Sequence, residues 1–154
     1  MDKPSLVYVT YIGATPDKVW NALLDPELTK RYWFDHRNIS PSWSPGDPWQ
    51  HRDDSDGEID VEGTVLESDP PRRLVLTWGD HGGAPDAASR VTFDLESNAG
   101  VTKLTVIHDR LEADSHRYRS VQRGWPLVLS NLQSILETGD PLFTAFPQPA
   151  GEAV

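Results

Sequence analysis

The chain has 154 residues, with 24 acidic against 14 basic ones, and its formal net charge is −10. This length suits one domain with a hydrophobic core of its own. The acidic balance excludes nucleic acid as an expected partner, because phosphate binding depends on clustered Lys and Arg. The absence of cysteine excludes disulfides, thiol catalysis and thiolate zinc sites.

Nothing in the sequence predicts contact with a membrane. No apolar segment approaches the roughly 20 residues of a membrane helix, and the first residues lack the basic and apolar regions of a signal peptide. We therefore expect a cytoplasmic protein without membrane insertion. Six tryptophans are many for a small domain, and they predict either a large aromatic core or an aromatic-lined pocket.

The first part of the chain predicts one strand and two short helices. Residues 6–12 are apolar at alternate positions on both faces, which favours a strand covered on both sides. Thr15-Pro16-Asp17 is typical of a helix start, with a cap, a proline and an acid in the first turn. Asp25-Pro26-Glu27 repeats that pattern, so a second short helix is expected to follow, with the apolar stripe Leu28, Tyr32 and Trp33.

The remainder predicts more strands and one long helix. Weak strands are expected within residues 38–56, and alternating segments follow near 59–65, 74–78, 91–95 and 104–108. From about Ser115 to Thr138 apolar residues recur every three or four positions, ending at Gly139, and Pro126 predicts a kink. This order indicates an α+β fold in which about six to seven antiparallel strands curve around the C-terminal helix. We expect one domain over residues 1–143 and a flexible tail over 144–154.

Five segments carry a family resemblance: residues 14–23 (ATPDKVWNAL), 28–33 (LTKRYW), 70–78 (PPRRLVLTW), 102–108 (TKLTVIH) and 124–126 (GWP). Together they resemble the START/Bet v 1-like (SRPBCC) superfamily and, within it, the activator of Hsp90 ATPase homologue 1-like family. The resemblance implies a helix-grip fold, with a space between the sheet and the C-terminal helix. Such a superfamily includes lipid carriers, aromatases and cyclases, hormone receptors and co-chaperones, so the fold alone does not choose a function.

The leading hypothesis is a non-enzymatic protein that binds a small hydrophobic molecule, lipid-like or aromatic, in that space. His108 and Tyr118 would orient the ligand, and the two short helices and the 79–88 connection would form the mouth. Simpler alternatives are a satisfied core histidine at His108, a solvated loop histidine at His36, and an aromatic core without a hollow. The predicted pocket residues are Trp33, His36, Leu76, Trp78, Phe93, Val106, His108, Tyr118, Trp125, Val128 and Leu132.

Two other function classes stay open. The resemblance implies an Hsp90-type co-chaperone or another protein-interaction module, with a role in the stress response. The second of these classes is an enzyme that resembles a polyketide cyclase or aromatase. In such an enzyme His108 would be the only candidate acid or base that faces inward. No catalytic residue, metal ligand or cofactor is predicted. His51, Asp53, Asp54 and Asp56 are interpreted as parts of a solvated acidic loop, because the spacing of a calcium loop is absent.

Overall fold

The computed structural model describes residues 3–147. Within this range the chain forms seven strands and three α-helices, and one turn of 3₁₀ helix spans Pro85–Ala87. No helix there is both long and apolar enough to cross a membrane. In chain order the elements are β1 (Leu6–Ile12), α1 (Pro16–Leu24), α2 (Pro26–Tyr32), β2 (His36–Ile39), β3 (Pro48–Asp53), β4 (Ile59–Asp69), β5 (Arg73–Asp80), β6 (Ser89–Asn98), β7 (Val101–Asp109) and α3 (His116–Thr138).

The strands form one antiparallel sheet in the order β1-β7-β6-β5-β4-β3-β2. Helix α3 buries Val121, Trp125 and Leu132 against it. The predicted α+β helix-grip fold is therefore confirmed, including the two short helices after the first strand. Val75 and Thr92 on the outer face are buried as well. The inward faces predicted for β5, β6 and β7 are nevertheless confirmed, because their residues are all buried: Leu74, Leu76, Trp78, Val91, Phe93, Leu95, Leu104, Val106 and His108.

The helices start and end where the sequence predicts. The Thr15 hydroxyl caps α1 by accepting from the Lys18 amide, and the Asp25 carboxylate caps α2. The Ser115 hydroxyl accepts from the Tyr118 amide at the start of α3. Gly139 ends α3 with φ +93°, a left-handed conformation that glycine adopts without steric cost.

Pro126 lies inside α3 and cannot donate a hydrogen bond to the Gln122 carbonyl. The Tyr8 hydroxyl of β1 donates to that carbonyl oxygen at 3.3 Å. The Gln122 carbonyl, which has no partner within the helix, therefore connects α3 with strand β1 at the edge of the sheet.

The prediction that β1 is covered on both faces is wrong. Leu6 and Ile12 are buried, but Val7, Val9 and Tyr11 are half or more exposed, at 58%, 50% and 52%. The strand lies at an edge of the sheet and has only one face toward the core. Alternation in sequence marks the two faces of a strand but does not say whether another layer covers the second one.

Candidate functional site

Aromatic rings fill the space between the sheet and α3. Trp33, Trp49, Trp78 and Trp125 are all at most 8% exposed. Trp78 is in contact with the other three, at ring-centroid distances of 6.0 Å to Trp33, 5.4 Å to Trp49 and 5.7 Å to Trp125. These spacings are those of packed aromatic pairs. The rings therefore occupy the centre of the space that was predicted to be hollow.

His108 belongs to this packed interior. The Trp125 Nε1–H donates to His108 Nδ1 at 3.0 Å, so Nδ1 carries no proton. The other ring nitrogen, Nε2, lies 2.7 Å from the Ser89 hydroxyl, which in turn donates to the Trp78 carbonyl at 2.9 Å. Burial, and secondarily the charge of Arg117, lower the His108 pKa to about 3. His108 is thus a neutral histidine with both nitrogens bonded, and neither bond within residues 3–147 is to a carboxylate.

An open pocket of about 240 Å³ lies beside this packed centre. It is bordered by the end of α2, by strands β2 to β5 and by the first half of α3. Its walls are mainly apolar, with a polar part formed by histidine, aspartate and arginine. The lining residues are Trp33, Phe34, His36, His51, Asp60, Val61, Trp78, Arg117, Ser120, Val121, Gly124, Trp125, Val128 and Phe146.

The pocket exists because α3 carries small side chains at this position. Ser120 and Gly124 face the pocket, and a Cβ atom added at Gly124 would meet no neighbour within 4 Å. Trp125 and Val128 lie on the neighbouring stripe of the helix and are buried against the sheet. The pocket therefore forms where α3 lacks bulk, since close-packed side chains elsewhere leave few voids.

The turn from α2 into β2 brings Trp33 and His36 into the wall. Phe34 and Asp35 adopt positive φ angles of 49° and 63°, which end the helix and reverse the chain. The Asp35 amide donates to the Lys30 carbonyl, and the His36 amide donates to the Trp33 carbonyl. This compact turn sets Trp33 at the inner side of the pocket and His36 at its rim.

His36 and His51 are stacked, with ring centroids 4.4 Å apart and an interplanar angle of 8°. His36 Nδ1 lies 2.9 Å from the Phe34 carbonyl oxygen and Nε2 lies 2.6 Å from Asp60 Oδ2. Both neighbours are acceptors, so a protonated His36 satisfies both contacts. For His51, burial and the neighbouring His36 charge lower the pKa well below the usual histidine value. His51 is therefore a neutral ring stacked on His36.

Two polar atoms in the pocket wall lack a partner within residues 3–147. His51 is 6% exposed, and its Nδ1 lies 2.6 Å from Asn38 Oδ1, whereas its Nε2 makes no hydrogen bond in that range. Trp78 Nε1 is also unpaired, and it is sealed from solvent. His51 Nε2, in contrast to Trp78 Nε1, is not sealed. It is therefore an acceptor that can be reached from the pocket.

Charged residues lie at the rim of the pocket. Asp60 pairs with His36, and Arg117 pairs with Asp80. Among the described residues, His36, Asp53 and Asp60 are the one group whose ligand atoms are close enough, within 4.8 Å of one another, to hold a metal ion. In the present arrangement His36 Nε2 and Asp60 Oδ2 are in direct contact with each other.

The segment after α3 closes one side of the pocket. The buried Asn131 side chain accepts from the Phe143 amide at 2.7 Å and donates to the Phe143 carbonyl at 2.9 Å. Phe146 then packs edge-on against Phe34 at 5.1 Å, under the Arg123 guanidinium. The predicted tail begins at residue 144, and residues 144–147 lie here; residues 148–154 are outside the described range.

The structure brings five of the predicted pocket residues together: Trp33, His36, Trp78, Trp125 and Val128. Leu76, Phe93, Val106, His108 and Leu132 are buried in the core, and Tyr118 is partly buried beside it. The end of α2 borders this pocket, whereas no residue of α1 lines it and the 79–88 connection lines a separate surface groove with Trp49 and Leu66.

The interpretation of His51 as part of a solvated acidic loop is wrong, because His51 lies in β3 and is 6% exposed in the wall of the pocket. The small residues of α3 were not among the predicted pocket residues. His51 is two positions after Trp49 in β3, and strand alternation places the two side chains on the same face. Ser120 and Gly124 are one helical turn apart on α3 and directly precede Val121 and Trp125. Both signals were present in the sequence, but the weak strand prediction for residues 38–56 concealed the first.

The fold and the site define a helix-grip domain with a small aromatic pocket beside a filled core. The chain belongs to the Activator of Hsp90 ATPase homolog 1-like protein family, whose model matches residues 13–137. This result confirms the resemblance seen in the sequence. A comparison with curated proteins finds no match.

Solved structures share the fold at low identity. The Aha1 dimer from Colwellia psychrerythraea is 19% identical over 88% of this chain and 98% of that chain, with a TM-score of 0.73. PFC0360w, an Hsp90 activator from Plasmodium falciparum, is 22% identical over 86% and 96%, with a TM-score of 0.71. DynU16, a protein of the dynemicin biosynthetic locus, is 23% identical with a TM-score of 0.74; the match covers 92% of this chain but only 49% of DynU16.

Proposed function

We propose that this protein binds a small aromatic molecule, without transforming it, in the pocket between the sheet and the first half of α3. The observation that carries the proposal is the pocket of about 240 Å³ whose walls include Trp33, Trp78 and Trp125. Apolar surface removed from water contributes roughly 25 cal/mol per Å² to such binding. Aromatic walls also favour flat rings, because offset and edge-on ring contacts add to burial.

The size of the pocket narrows the class of ligand. Pockets for drug-sized ligands enclose about 300–1,000 Å³, so this one suits a ligand of one or two fused rings rather than a long acyl chain. The bonding of His108 supports binding rather than catalysis, since that histidine is neutral and both its nitrogens are bonded to Ser89 and Trp125.

Naphthalene titration followed by NMR tests this proposal. We expect saturable shifts of the Trp78 and Trp125 indole N–H signals, because both rings line the pocket. The variant Gly124→Leu should abolish these shifts, since its side chain enters the space that is empty around Gly124. Gln122→Leu places a leucine at an exposed position of α3 outside the pocket and should bind like the wild type. Unchanged spectra in the wild type across a panel of one- and two-ring aromatics would refute the proposal.

Family membership supports a second candidate, a protein-interaction module of the Hsp90-activator type. The face of β1 that carries Val7, Val9 and Tyr11 is apolar and exposed, which suits contact with another protein. Isothermal titration against an Hsp90-type chaperone, with and without nucleotide, tests this candidate. Binding that Val9→Lys weakens and Gly124→Leu leaves unchanged would place the contact on β1 and separate it from the pocket.

A further inference from the structure

His51 supplies the pocket with a hydrogen-bond acceptor that no described residue uses. Its side chain is 6% exposed and stands in the wall of the pocket next to Trp33, at a ring-centroid distance of 5.1 Å. Buried polar groups of folded proteins nearly always have a partner. His51 Nε2 stands in a wall built mostly of apolar rings, so it is the acceptor that a ligand carrying a donor group would meet in this pocket.

The surroundings of His51 fix which nitrogen faces this partner. Nδ1 lies 2.6 Å from Asn38 Oδ1, an acceptor, so Nδ1 carries the proton and Nε2 keeps its lone pair. Asn38 is itself buried, and its backbone amide donates to the Thr29 hydroxyl, so the orienting group is held in place. The His36 ring is stacked on His51, and its own nitrogens face the Phe34 carbonyl and Asp60.

We infer that the ligand of this pocket is a hydroxylated aromatic, which donates its hydroxyl proton to His51 Nε2 while its ring lies among the tryptophans. This inference rests on the proposed function and names the chemical class of its ligand. An aromatic carboxylate is disfavoured, because it would present an acceptor to an acceptor. His51 would contribute to binding by accepting this hydrogen bond, and no covalent step is involved.

Three two-ring probes of one shape test the inference in the wild-type protein. 2-Naphthol carries a donor, 2-methoxynaphthalene has only an acceptor, and naphthalene has neither. We expect 2-naphthol to bind about three- to tenfold more tightly than the other two, as one neutral hydrogen bond allows. The His51 Nε2 resonance, followed by ¹⁵N NMR of the imidazole, should move with 2-naphthol and stay in place with 2-methoxynaphthalene.

The variant His51→Phe keeps an aromatic ring in the wall but removes the acceptor. In this variant the preference for 2-naphthol should disappear while naphthalene still binds. Equal affinities of the three probes for the wild type, or a stationary Nε2 resonance, would overturn the inference and leave the proposed function intact. If none of the probes binds, the proposed function fails as well. The wild-type comparison decides the question even if His51→Phe does not fold.

Discussion

Acid should destabilise this protein through His108, and the magnitude follows from the structure. The unfolded chain binds a proton at this histidine near its ordinary pKa of 6.5, whereas the folded state holds it neutral down to about 3. The unfolded state therefore binds more protons below pH 6.5, and the free energy of unfolding falls as the pH drops. Between about pH 6.5 and about pH 4.5, this single group should remove about 2 kcal/mol of stability.

Urea unfolding at several pH values, monitored by tryptophan fluorescence, measures this effect, because Trp78 and Trp125 contact His108. The matched variant is His108→Gln, which keeps a donor and an acceptor but cannot titrate. We expect it to be less stable than the wild type at neutral pH and to have a shallower pH dependence, by up to about 1.4 kcal/mol per pH unit. The other titrating groups, including His51, are common to both proteins and cancel in the difference. Parallel pH curves would refute the assignment of His108 as a neutral core residue.

Three further substitutions test the packing around the site. Gly63→Ala should lower the unfolding free energy by more than about 2 kcal/mol, because its Cβ would lie 2.1 Å from the Thr77 carbonyl oxygen; a smaller loss in urea unfolding would contradict the close approach. Gly124→Ala should instead raise stability by about 0.5–1 kcal/mol, since alanine favours a helix and the position is open; destabilisation would mean that this part of α3 is packed. Asn131→Leu removes the bonds to the Phe143 backbone, so the Phe143 amide should exchange much faster with solvent; unchanged protection would show that other contacts hold this segment.

Local patterns were sufficient to predict most of the fold. Thr15, Asp25, Ser115 and Gly139 mark helix ends because capping depends on a few neighbouring residues. The alternation in β5, β6 and β7 identified their inward faces because the period of a strand is independent of its partners. The same reasoning placed Trp78, Trp125 and His108 in one interior, together with the family resemblance that residues 13–137 confirm.

The site depended on contacts that the sequence alone does not contain. His36 and His51 stack across two strands, and His108 is paired by Ser89 of β6 and Trp125 of α3. A buried ring either fills a space or lines a pocket, depending on the size of the side chains that face it. Those side chains come from elements that are distant in the sequence. Sequence patterns are sufficient to identify the apolar faces and the ends of the elements, because those properties are local and periodic. The closure of the centre by aromatic rings and the pocket beside Gly124 result from the packing of elements that are distant in the chain, which no local pattern contains.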